Sequence, residues 1–136
     1  MDQLISETAL EKTYTEEELC SLAKSLIRLF ELWQLDDSEA LSLLGVPDTG
    51  LSILISYRNG APLDYNQATL VRVGHLLAIH RNLNLLFRHN PDLSYRWMKT
   101  PNLAFGGSMP VQAIRTGGGL DGLLMVRAYL EHSQNY

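Results

Sequence analysis

Tyr95-Arg96-Trp97-Met98-Lys99-Thr100-Pro101-Asn102-Leu103-Ala104-Phe105-Gly106-Gly107-Ser108-Met109-Pro110 links two helical patterns in an unusual way. Pro101 lacks a backbone donor and biases Thr100 away from helical geometry, so the preceding helix must stop there. Gly106-Gly107 permits a sharp turn, and Pro110 suits the first turn of a new helix. Most linkers are polar, whereas this one holds Trp97 and Phe105. Leu103 and Phe105 are expected to anchor the loop to the core. A short helix follows Pro110, Gly117-Gly118-Gly119 breaks it, and Leu120, Leu123, Leu124, Val126, Arg127, Tyr129 and Leu130 mark a last helix.

Working towards the N-terminus, Asn90-Pro91-Asp92 opens a short helix carrying Tyr95 and Trp97. Before it, the longest helix is predicted from about Asp64 to Phe87, with apolar positions on several sides, as in a central buried helix. Val46-Pro47-Asp48-Thr49 starts another helix that runs to Tyr57 and closes at Asn59-Gly60. Asp36 and Glu39 form a capping box for a short helix ended by Gly45, and Thr15 and Glu18 form one for the first helix. There, Leu19, Leu22, Ala23, Leu26, Ile27, Phe30 and Trp33 recur at spacings of three and four, which places them on one face. No strand pair or repeat appears, so the fold class is all-α. Residues 1–14 read as a flexible leader, 15–62 as a helix-turn-helix-like region and 63–136 as a second functional region.

With 136 residues and 46% hydrophobic content, the chain can build a core without staples. One cysteine, Cys20, excludes an internal disulfide and suits a reducing cytosol. It reads as a buried structural thiol. No secretory signal is visible, and Arg72, His75, His80 and Arg81 interrupt the only long apolar run, so no membrane partner is expected. The net charge of −4 divides unevenly, with eleven acids and three bases in residues 1–48 and four acids and eight bases afterwards. That asymmetry permits a nucleic-acid role for the basic part, and equally suits an ordinary solvated surface.

The segment from Asp36 to Gly60 has the order of a helix-turn-helix reader, with Thr49, Ser52, Ser56 and Arg58 as outward candidates for DNA. Only Arg58 is cationic, and Leu51, Ile53, Leu54 and Ile55 crowd the same helix, so packing or dimerisation is the favoured role. Thr116-Gly117-Gly118-Gly119 lacks the lysine and the preceding strand of a phosphate loop and reads as a helix stop and start. His75 and His80 lie about 140° apart on a helix, so they cannot share one metal. His89 and His132 read as surface residues near helix ends. No nucleophile is paired with a base, so no catalytic residues, metal or cofactor are assigned.

The Trp, Pro-Asn, Phe-Gly-Gly and Pro-started helix of residues 97–110 resemble the toxin-binding module of Xre/MbcA/ParS-type antitoxins. The likeness is weak over 24–62, fair over 63–90 and good over 91–131, and it makes 63–136 the toxin-binding region. It implies a cytoplasmic, non-enzymatic antitoxin of a type II toxin–antitoxin pair, whose partner is a RES-domain toxin that degrades NAD. The C-terminal helix and tail would obstruct the toxin's cleft. The resemblance assigns toxin contact to Trp97, Asn102, Phe105, Gly106, Gly107, Arg115, Arg127, Tyr129 and Tyr136. It also implies homodimer contacts and promoter binding by the assembled complex. The alternatives are a helix-turn-helix regulator acting alone and a self-associating polar-localisation scaffold.

Overall fold

A computed structural model of the chain describes residues 13–117 and 119–134. They form seven α-helices, with no strand among the described residues: α1 Glu16–Leu32, α2 Asp37–Leu44, α3 Leu51–Arg58, α4 Gln67–Leu86, α5 Pro91–Arg96, α6 Pro110–Thr116 and α7 Leu120–Ser133. Short 3-10 turns precede α3 and occupy Trp97–Lys99 and Leu103–Phe105. The all-α reading therefore holds. Among these residues no single helix is long and apolar enough to cross a membrane.

Both capping boxes form. The Thr15 hydroxyl accepts from the Glu18 N–H at 3.1 Å while the Thr15 N–H donates to the Glu18 carboxylate at 3.0 Å. Asp36 and Glu39 do the same at 2.8 and 2.9 Å. Each box satisfies donors that the first helical turn leaves open. Gly45 closes α2 at φ 74°. The long helix starts three residues later than expected, because the Asn66 side chain takes the cap and accepts from the Thr69 N–H at 2.9 Å. Upstream, Tyr14 meets Tyr65 edge-on at 6.2 Å, so the end of the supposed leader is packed. Residues 1–12 of that leader lie outside the described residues.

α4 is central, packing against α1, α2, α5 and α7. One apolar cluster runs through both halves of the chain, from Leu26, Leu29 and Trp33 through Leu54 and Leu76 to Met98, Ile114, Val126 and Leu130. Cys20 is only half-buried, a correction to the buried thiol expected from its neighbours. Its position on α1 falls to the side of the stripe formed by Leu19, Ala23 and Leu26.

Polar contacts also tie the halves together. Arg72 on α4 donates to the Leu43 carbonyl at 3.1 Å. Its guanidinium also lies against Gly119, where an added Cβ would meet Nη2 at 2.7 Å. Burial lowers its pKa, but a guanidinium stays charged at any pH of interest. Lys99 Nζ reaches the buried Glu39 carboxylate at 3.1 Å and the Gln34 carbonyl at 3.1 Å. Gln34 adopts φ 57°, the one left-handed non-glycine among the described residues. Lys99→Met should cost about 2 kcal/mol in chemical denaturation, because the buried Glu39 carboxylate loses its ion-pair partner and keeps only the Asp36 N–H. The cost stays below that of a fully buried pair because the lysine side chain remains 34% exposed.

Candidate functional site

The linker from Thr100 to Met109 is a closed, internally bonded loop organised by Asn102. Its side-chain oxygen accepts from the Ala104 N–H at 2.9 Å. Its carbonyl accepts from the N–H groups of Phe105 and Gly107, and its own N–H donates to the Ser108 carbonyl. Gly106 and Gly107 sit at φ 66° and 88°, a region where a β-carbon is costly, which is why two glycines fit here. The Thr100 hydroxyl donates to the Arg96 carbonyl at 2.8 Å and secures the stop before Pro101.

This loop brings Phe105 over α7. The Phe105 ring meets Tyr129 edge-on at 5.3 Å and Trp97 edge-on at 6.2 Å, while Trp97 and Tyr129 stack at 6.3 Å. Each aromatic pair adds about 0.5–1.5 kcal/mol beyond its buried area. The neighbouring turns of Trp97 and Phe105 are thus pinned to α7, which lies far along the chain, through Tyr129.

The helix that carries Tyr129 also exposes apolar side chains. α7 buries Leu123, Val126 and Leu130 against the core but leaves Leu124 and Met125 exposed at 42% and 45%. Met125 precedes Tyr129 by one turn, so the two share an edge of the helix. Leu103, expected to anchor the loop, is instead 93% exposed. The tight turn around Asn102 sends Phe105 inward and leaves Leu103 outside. Phe105 does pack against the core, as expected.

Arg115 and Arg127 make other contacts. Arg115 on α6 donates to the Ser38 hydroxyl at 3.2 Å, so it faces α2. Arg127 is half-buried, 2.8 Å from His75 Nδ1 and 3.3 Å from Glu131. Tyr136 lies outside the described residues. Of the DNA candidates, Thr49 and Ser52 are exposed. The Ser56 hydroxyl bonds the Ile53 carbonyl at 2.7 Å, and Arg58 pairs with Asp37 at 2.6 Å. The outer side of α3 shows Leu51 and Ile55.

Sequence reasoning missed Leu103, Leu124 and Met125 as surface residues. A signal existed for α7, since apolar residues at 123, 124, 125 and 126 cannot all face one side of a helix. For Leu103 none existed.

His80 on α4 has a buried ring nitrogen, Nδ1, without a hydrogen-bond partner. Burial lowers its pKa from the ordinary 6.5, because desolvation disfavours the cation. The unfolded chain then takes up a proton first as pH falls, so stability is full above about pH 6.5 and declines below it. The fall in Tm on acidification should be smaller in His80→Gln than in the parent chain. Burial likewise raises the pKa of Tyr57, whose hydroxyl accepts from the Asp64 N–H.

An all-α framework with a rigid loop and an apolar helix face beside it has the character of a recognition module. Residues 82–134 match the family model described as the antitoxin Xre/MbcA/ParS C-terminal toxin-binding domain. The resemblance drawn from the Trp97–Pro110 stretch is thereby shown for that segment, and a domain of that description supports an antitoxin role with a toxin as partner. The match points to a regulatory function. Residues 24–62 lie outside it. No curated protein matches the chain.

Proposed function

We propose that this chain is the antitoxin of a type II pair and neutralises a RES-domain, NAD-degrading toxin by covering its cleft with the C-terminal region. The observation that carries the reading is a coincidence of place. The exposed apolar residues of α7 and the loop beside them fall inside the segment that matches a toxin-binding domain. Such a surface needs shape and apolar area and no reactive group. Leu51 and Ile55 on α3 support a homodimer contact in the N-terminal region, a role that would fit better there than base reading. Promoter binding then belongs to the assembled complex, in which a symmetric dimer presents two half-sites.

The test is co-expression with the product of the adjacent gene, reading growth and cellular NAD. Under this reading the neighbour alone depletes NAD and arrests growth, and the chain reverses both by forming a stable complex. A harmless neighbour, or one that does not bind, would sink it.

A further inference from the structure

We propose that Leu103, on the turn that carries Phe105, is a preformed anchor that enters an apolar, leucine-sized pocket on the toxin. The proposal rests on the reading of residues 82–134 as toxin-binding and names where on that segment the contact is centred.

Among the described residues Leu103 is by far the most exposed of the large hydrophobics, at 93%. It contributes almost nothing to the core, so the fold gives no reason for leucine at this position. The loop conformation depends on Asn102 and the two left-handed glycines, and a polar residue at 103 would serve it equally well. The turn is also locked on both sides of the leucine. Phe105, two residues on, is held between Trp97 and Tyr129, and the Asn102 carbonyl holds the N–H groups of Phe105 and Gly107. A side chain presented on a backbone already fixed loses little freedom on docking, and that preorganisation favours a hot spot.

The occupant is the toxin and not a second copy of the chain for a reason of position. Leu103 shares the 3-10 turn of Phe105, the residue that contacts Tyr129, and both lie within residues 82–134. The exposed Leu51 and Ile55 of α3 lie outside that segment.

The experiment measures binding of the full chain and its variants to the purified adjacent-gene toxin by calorimetry, with Tm and sedimentation of each variant alone. Leu103→Ala should weaken the complex by about 30-fold and Leu103→Asp by at least about 100-fold, with Tm unchanged. Leu103→Met should keep affinity close to the parent, because a flexible apolar side chain of similar volume can refill the pocket. If Leu103→Asp binds within about twofold of the parent while charge on α7 abolishes binding, the anchor is wrong and the antitoxin reading stands. If Leu103→Asp turns a dimer into a monomer and leaves toxin affinity intact, the knob serves self-association and the proposal is overturned. If the parent chain itself fails to bind the toxin, both readings fall together.

Discussion

Replacing Leu124 and Met125 together by aspartate is expected to weaken the complex with the toxin by at least about a thousand-fold, or ~4 kcal/mol. Both side chains are nearly half exposed on α7, one turn from the aromatic cluster. Two terms act in the same direction. Docking no longer buries two apolar side chains, each worth about 1–2 kcal/mol when half their area is already covered. Two carboxylates must also lose water without a partner, at about 1–3 kcal/mol each or more. Each substitution also gives up the covered half of a side chain, about 1 kcal/mol apiece, a loss that a domain stable by about 5–15 kcal/mol can absorb, so the variant should fold. Calorimetric titration with the toxin and thermal denaturation of the chain alone would separate the two effects. Retained affinity would mean that the toxin is held by another surface.

Gly122→Ala is expected to destabilise the chain by about 2–3 kcal/mol, which lowers Tm by roughly 10 °C for a domain of this size. Two effects compete. Alanine is the better helix former by about 1 kcal/mol, which favours the variant. Against it, an added Cβ would lie 2.5 Å from the Ile114 carbonyl oxygen and 2.7 Å from the Ile114 Cα. These are backbone atoms of α6, so no side chain can swing aside to relieve the clash. The helices must separate, and α7 would carry Tyr129 away from Trp97 and Phe105. Thermal unfolding measures the first consequence and the tryptophan fluorescence of the folded variant the second. A raised Tm would show that helix propensity wins and that α6 and α7 are not held at this spacing.

The tight crossing explains the glycine-rich break better than its sequence did. Gly117 and Gly122 approach so closely that a Cβ on Gly117 would sit 2.9 Å from the Gly122 Cα. Read alone, Thr116-Gly117-Gly118-Gly119 says only that one helix stops and another starts. Its role in bringing two helices together depends on Gly122, inside the next helix, where no local rule asks for glycine.

What could be read from the chain alone is what depends on near neighbours in sequence. Capping boxes at Thr15–Glu18 and Asp36–Glu39, the left-handed end at Gly45, and the helix starts at Pro91 and Pro110 all formed as expected. Each is decided by a few bonds within three or four residues. The Phe-Gly-Gly turn and its Trp gave the family of residues 82–134 for the same reason, because the loop is a local device. The side that each residue faces was decided only by the tertiary structure. Leu103 points outward because the Asn102 turn rotates it away from Phe105, and Leu124 and Met125 are exposed because α4 and α6 cover only the other side of α7. Arg115 and Arg127 look alike in sequence as free cations, yet each is engaged by a residue more than fifty positions away, Ser38 and His75. Local rules determine where helices begin and end, while burial is a property of pairs of helices, which only long-range packing can assign.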